Sequence, residues 1–203
     1  MTTRTVDPEV VGLVERAQTG DGEAFAQLYD RYVNLVYGYV QNRVRNSHLA
    51  EDLTSDVFVR ALRSLPNFKW QGVDIGAWLL TIARNRITDH FKSARVRLER
   101  ASDEMGDEPL GNHVDGPEAV AMARDLAANL TRALELLKGE HREVVHLRFV
   151  QGLSVAETAL AMTRSDGAVK ALQCRALRAL AEIVRNDPSF ADAHDEVRAE
   201  GAA

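Results

Sequence analysis

Lys170, Gln173, Cys174 and Arg178 are spaced so that on a helix they lie toward one side, which then presents an amide, a thiol and two cations. These groups suit recognition rather than bond making: the cations neutralise phosphate oxygens, and an amide pairs with a base edge. Arg84, Asn85, Thr88, Asp89, Lys92 and Arg95 form a second such set. A helix carrying cations only for solubility would usually intersperse more acids. A third set lies in Pro66–Gly76, "PNFKWQGVDIG", where Phe68 and Trp70 flank Lys69 just after Asn67. Exposed aromatics beside a cation offer single-stranded bases a stacking surface and backbone charge. A loop whose Phe68 and Trp70 tuck back into the core fits this stretch equally well.

Groups for catalysis are missing from the pattern. The chain has no Gly-rich phosphate loop, no Gly-x-Ser-x-Gly and no His/Cys spacing for zinc. His48, His90, His113, His141, His146 and His194 are scattered over unrelated elements, and each reads as a surface or rim histidine. No pair of carboxylates has the apolar flanks that acid–base chemistry needs. The expectation is a protein without enzymatic activity, cofactor or metal. Cys174 is the one cysteine, which excludes an intramolecular disulfide and fits a reducing cytoplasm. No apolar run approaches the ~18 residues of a membrane span, and "MTTRTVDPEV" has no signal-peptide core. A soluble, cytoplasmic chain with no membrane contact of its own is expected.

A net charge of −5 over 203 residues argues at first against nucleic acid, but its distribution reverses the argument. Arg60 to Arg100 holds nine Lys and Arg against Asp74, Asp89 and Glu99, whereas Glu99 to Glu118 holds seven acids against Arg100 alone. Phosphate contact is local, so segregated charge matters more than the sum.

The positioning elements read as helices throughout, with few strand-like alternations and only five prolines. Asp7-Pro8-Glu9 starts the first helix, which Gly20 ends, and Asp21 starts a longer one. The longer helix has an apolar face of Phe25, Leu28, Tyr29, Tyr32, Leu35, Val36, Tyr39 and Val40, its tyrosine hydroxyls expected at the rim. Ser47 opens a third helix that stops before Pro66 and buries Leu49, Leu53, Val57, Phe58, Ala61 and Leu65. Glu51, Asp52, Ser55, Asp56, Arg60 and Arg63 lie off that side, acids first and bases last. This order suits the helix dipole, and the face reads either as solvated or as a polar docking surface. A fourth helix begins near Asp74 and buries Trp78, Leu79, Ile82, Ala83, Ile87 and Phe91. From Arg97 to Gly116 periodicity is lost and glycine and acid accumulate, which marks an acidic linker at 98–116 between domains at 1–97 and 117–186.

In the second domain a helix from Pro117 turns Val120, Ala127, Leu130, Leu134 and Leu137 inward, and Val144, Val145, Leu147 and Phe149 are core candidates in the next. Gly152–Ala181 then splits into two short helical patterns. Ser154 and Glu157 make a capping box, Thr163–Gly167 breaks the pattern, and Ser165 or Asp166 caps the second helix. Val169, Leu172, Ala176, Leu180 and Ile183 give that helix its stripe. The pair reads as a helix-turn-helix or as an ordinary helical hairpin. Asp187–Ala203 reads as a disordered tail. The fold class is all-α: two small helical domains and a flexible acidic linker, the second domain with a helix-turn-helix.

With both domains read, the chain resembles a bacterial RNA polymerase sigma factor of the two-domain extracytoplasmic-function group. The resemblance rests on "LVERAQTGDGEAFAQLYDRY" at Leu13–Tyr32, "AEDLTSDVFVRAL" at Ala50–Leu62, "AWLLTIARNRITDHFKSAR" at Ala77–Arg95, and the stretch Glu140–Leu177. It implies that Glu51, Asp52, Asp56, Arg60 and Arg63 dock on core RNA polymerase. Asn67, Phe68, Lys69 and Trp70 would hold a flipped base of the −10 promoter element. Arg84, Asn85, Thr88, Asp89, Lys92 and Arg95 would face that element and its phosphates. Arg164, Ser165, Asp166, Gly167, Lys170, Gln173, Cys174 and Arg178 would read the −35 element. It also implies an anti-sigma partner, the chain being a monomer when free or one-to-one with its inhibitor. Ala171-Leu172 stands where many relatives carry Ser-Arg; the pattern "GAVKALQ" resembles one seen in actinobacterial members, and Cys174 stands where His is frequent there. The competing readings are a conventional helix-turn-helix regulator with a sensor or dimerisation domain, and a helical adaptor without a DNA role.

Overall fold

The computed structural model describes residues 7–100, 132–137 and 139–186, with side chains through residue 93 in the first stretch. Helices begin where a side chain accepts from an orphan amide. Asp7 caps α1 (Pro8–Gln18) by accepting from Glu9 N at 3.0 Å. Asp21 caps α2 (Gly22–Val44) from Ala24 N at 3.1 Å, and Asn46 caps α3 (Ser47–Ser64) from Leu49 N at 3.0 Å. A 3-10 turn at Leu65–Asn67 follows, and α4 spans Ile75–Arg100.

In this first unit α2 packs against α1, α3 and α4, and α3 packs against α4. Val36, Val40, Val57, Ala61, Leu80 and Ala83 are fully excluded from solvent. Each of the larger aliphatics among them contributes about 1.5–3 kcal/mol by burial. The start of α4 lies so close to α2 that a Cβ on Gly76 would fall 2.8 Å from Leu35 Cδ2. Asp74 fixes that start: it accepts from Gly76 N at 2.8 Å and from the Tyr32 hydroxyl at 2.8 Å.

In the second unit, residues 132–136 are helical and α5 (Gly139–Val145) continues into a π turn at His146–Val150. Then come α6 (Val155–Met162) and α7 (Asp166–Asn186). The capping box forms, with Glu157 N donating to Ser154 Oγ at 3.2 Å and Ser154 N to Glu157 Oε2 at 2.6 Å. Such a cap stabilises its helix by about 1 kcal/mol. Thr163 ends α6 in the left-handed region at φ 55°. Ser165 is the residue that caps α7, accepting from Ala168 N at 3.3 Å. Val169, Leu172 and Ala176 are buried, with Leu180 and Ile183 half-buried against the core.

Some expected positions shift. Phe149 is 54% exposed, not a core residue. The π turn has Gln151 N donating to His146 O at 2.9 Å, five residues back. That extra residue per turn rotates Phe149 and Val150 outward, while His146 is buried instead of lying at the surface. Phe91, expected inside α4's apolar side, is 49% exposed. Tyr39 is fully buried, and its hydroxyl reaches into the second unit rather than the rim. The two units pack on each other, α6 against α4, with Thr81 Oγ1 donating to Leu160 O at 3.1 Å. Of the expected linker at 98–116, positions 98–100 belong to α4 and 101–116 lie outside the described residues. Residues 117–131, where the sequence predicts the next helix, and 187–203, where it predicts a tail, lie outside them as well.

Candidate nucleic-acid interface

The outer side of α7 carries the first of the sets expected to contact DNA. Arg164, Ser165, Asp166, Gly167, Lys170, Cys174 and Arg178 are exposed, joined by Arg175. The buried stripe of Val169, Leu172 and Ala176 turns this side away from the core. Two members are engaged by the protein itself. Arg164 pairs with Glu140, and Gln173 is half-buried with its carbonyl oxygen accepting from Arg148 Nε at 3.1 Å. Arg148 also donates to Leu153 O, tying the turn before α6 to α7.

The loop after α3 is held in place from α1. Gln18 Nε2 donates to Leu65 O at 3.0 Å and to Phe68 O at 2.9 Å. Phe68 sits between two tryptophans, 5.4 Å from Trp70 and 4.8 Å from Trp78 between ring centroids. Phe68 and Trp70 are half-buried, while Asn67 and Lys69 are exposed. The loop therefore tucks its rings partly inward and leaves one edge of the cluster open.

On α4 the second set divides. Asn85 and Asp89 line an open cleft of about 460 Å³ between α3 and α4, together with Asp56, Arg60, Arg63 and Arg86. Asp56 is paired with Arg86 and, at 3.5 Å, with Arg60. Thr88 and Lys92 are exposed, and the side chain of Arg95 lies outside the described residues. Arg84 turns the other way, toward the second unit. On α3, Glu51, Asp52, Arg60 and Arg63 are exposed, and with them Val59 and Leu62 at 45% and 49%. Exposed aliphatics rimmed by charge have the composition of a protein contact surface.

Arg84 meets Glu143 of α5, whose side chain is only 2% exposed. Arg84 Nε lies 3.0 Å from one carboxylate oxygen, which also accepts from the Tyr39 hydroxyl at 2.7 Å. Arg43 Nη1 lies 3.5 Å from the other oxygen. Burial, with Glu143 beside it, raises the Tyr39 pKa well above that of an ordinary phenol. The His146 ring lies 6.5 Å from that of Tyr39, with Gln151 Nε2 3.2 Å from its Nε2. Burial and then the Arg43 charge lower the His146 pKa to about 4, against an opposing pull from Glu143.

His146 therefore stays neutral in the folded chain while the unfolded chain gains its proton near pH 6.5. The stabilisation from a depressed pKa is complete above about pH 6.5 and is lost as pH falls toward 4, by roughly 3 kcal/mol in all. Urea titrations should show this as a stability difference between the wild type and His146→Gln that narrows by about that amount from pH 7 to 4. A difference independent of pH contradicts the assignment.

Glu143, Arg43, Arg148 and Arg86 were not marked by the sequence pattern. Glu143 stands four residues before buried Leu147, a carboxylate on an apolar stripe, and that was the available signal. The partners of Arg43 and Arg86 lie on other helices, which periodicity does not reveal. Among the described residues no group of three or more His, Cys, Asp or Glu could hold a metal ion. No described helix is long and apolar enough to cross a membrane.

Comparison with known proteins matches residues 28–97 to Sigma-70 region 2 and residues 133–182 to Sigma-70 region 4. The chain is 50% identical over 176 residues to the ECF RNA polymerase sigma factor BldN of Streptomyces coelicolor, covering 86% of this chain and 66% of that one. It is 34% identical to the ECF sigma factor ShbA of Streptomyces griseus, over 88% of this chain and 99% of that one. The fold is similar to that of the sigma factor RpoE crystallised with the anti-sigma factor NepR from Bartonella quintana, at TM-score 0.63 and 24% identity, covering 80% of this chain and 98% of that one.

Proposed function

Since the chain belongs to the extracytoplasmic-function group of RNA polymerase sigma factors, we propose that it binds core RNA polymerase and directs it to two-element promoters. One observation carries the reading: region 2 and region 4 occur in order in one chain, the second with its helix-turn-helix cations exposed. A conventional helix-turn-helix regulator has no use for region 2. In this reading α3 docks on the polymerase through Glu51, Asp52, Arg60, Arg63 and the exposed Val59 and Leu62. The 67–70 loop captures a −10 base, exposed α4 residues hold the adjoining strand, and α7 reads the −35 duplex.

The energetics need no catalytic residue. Opening A·T-rich steps costs roughly 1–2 kcal/mol of stacking each, offset by base capture and by cationic contacts to the backbone. A chain with net charge −5 and small basic patches binds DNA weakly alone and well on the polymerase. The protein acts in the cytoplasm as a monomer or in a one-to-one complex with an anti-sigma factor. The RpoE relative, crystallised with such a partner, is in keeping with this.

Transcription of a genomic fragment library by core polymerase, with and without the purified chain, tests the function. Discrete transcripts that depend on the chain are expected; none under any conditions contradicts it. Lys170→Ala should weaken holoenzyme binding to a −35 duplex by about 1 kcal/mol, roughly fivefold, as read by fluorescence anisotropy. Unchanged affinity would move the reading face off this side of α7.

A further inference from the structure

We propose that the cleft between α3 and α4 is a binding site for a single guanine nucleotide, its base read by Asn85 and Asp89 and its phosphate held by Arg63. The cleft has a volume of about 460 Å³, with half-buried Ile82 in its lining. That volume falls within the range of about 300–1,000 Å³ found for small-ligand sites. Its charges do not satisfy one another. Asp56 pairs with Arg86 and, at 3.5 Å, with Arg60. Asn85, Asp89 and Arg63 are exposed, and among the described residues their side chains enter no hydrogen bond or ion pair. A carboxylate and a guanidinium that line one cleft without meeting leave an acceptor pair and a donor fork open to a third group.

Asn85 and Asp89 are four residues apart on α4, so an amide and a carboxylate stand side by side, ~5–6 Å apart at Cβ. A carboxylate only accepts, and its two oxygens can take two parallel donors. Guanine is the one common base that presents two adjacent donors, N1–H and the N2 amine. Its O6 lies beside them, for the Asn85 side-chain amide to donate to. Adenine and cytosine each set a ring-nitrogen acceptor against one carboxylate oxygen. Uracil and thymine flank their single N–H with carbonyls. Acceptor facing acceptor leaves desolvated groups unpaired, which is how a hydrogen-bonding site rejects the wrong partner. Guanine shows this edge only when it is unpaired, so duplex DNA is not the ligand. A free nucleotide and an unpaired guanine in an opened promoter strand share the required chemistry, and Arg63 on the α3 side meets the phosphate of either. The free nucleotide needs nothing from the sigma-factor reading; the strand as source rests on it.

Guanosine and inosine 5′-monophosphate differ only in the N2 amine, and that difference supplies the test. The polymerase-free, full-length chain would be titrated with each, and with adenosine 5′-monophosphate, following the ¹⁵N–¹H signals of the Asn85 amide and Arg63 Nε. Saturable shifts are expected with the guanine nucleotide, at least about tenfold tighter than with the other two. Asp89→Asn should erase that ratio, whereas Arg63→Met should weaken all three nucleotides alike by about tenfold. The ratio itself is read on the wild type, so it stands even where a variant fails to fold. In a second arm, reconstituted holoenzyme binds an A·T-rich single-stranded 12-mer carrying one guanine or one hypoxanthine. A tenfold ratio in the first arm assigns the site to a free nucleotide; a ratio in the second arm alone assigns it to the promoter strand. Equal affinity for guanine and hypoxanthine in both arms, or a ratio that Asp89→Asn leaves intact, overturns the proposal. Failure of chain-dependent transcription would remove the sigma reading and leave the nucleotide ratio of the first arm as it is.

Discussion

Reversing Glu51 and Asp52 together to lysine is expected to lower affinity for core RNA polymerase about 100-fold, close to 3 kcal/mol, with the thermal midpoint unchanged. Both residues are exposed on α3, so the free protein loses little when they change. A docking partner shaped to the acidic start and basic end of this helix would meet cations where it expects carboxylates. Like-charge juxtaposition at a protein interface costs several kcal/mol, which is why reversal is more informative than truncation. Asp56 is left intact because it is paired with Arg86 and Arg60, and a lysine there would confuse docking with the packing of α3 on α4. Titration of the labelled chain with core polymerase gives the answer, and a change under threefold would remove this part of α3 from the dock.

The second large effect is expected at the aromatic loop. Phe68→Ala with Trp70→Ala should slow strand opening by about 10- to 100-fold, since base stacking on aromatic rings contributes about 1–3 kcal/mol per base. Closed-complex affinity should change by no more than about threefold, because in the proposed function the DNA is held elsewhere, by α7 and the exposed α4 cations. The half-burial of both rings matters here. Phe68 is the middle ring of a cluster ending on Trp78, and Gln18 fixes the backbone at Leu65 and Phe68. In the proposed function such a loop is a prepared surface, and trimming it would remove both the stacking ring and its support. 2-Aminopurine fluorescence in the −10 element separates opening from binding. Equal losses at both stages would assign the cluster to the fold alone.

Much of the fold was legible because its signals are local. The caps at Asp7, Asp21 and Ser154, the stop near Pro66 and the stripe from Val169 to Ala176 depend on neighbours within about one turn, and sequence displays those directly. What escaped was non-local. The π turn at His146–Val150 inverted Phe149 and His146, because one extra residue in a turn breaks the period on which the expectation stood. Gln173 was legible as an outward residue, but Arg148, 25 positions away, accounts for its engagement. The same limit hid Glu143. Its position on an apolar stripe was visible, yet Tyr39, Arg43 and Arg84, which make its burial tolerable, come from two helices of the other unit. Placing Arg84 with Asn85 and Thr88 on one DNA-facing series was sound as a helical projection. It did not reveal that Arg84 and Asn85 are directed to opposite neighbours.

In the proposed function two helical units of one chain grip separate parts of a promoter while bound to the polymerase, and spacing tests this most directly. Transcription by the reconstituted holoenzyme would be measured on one promoter whose two elements are separated by the natural distance or by about 5 additional base pairs, half a turn of B-DNA. Strong transcription at the natural spacing and near-complete loss at the half-turn insertion is the expected result. Equal transcription at both spacings would contradict the account.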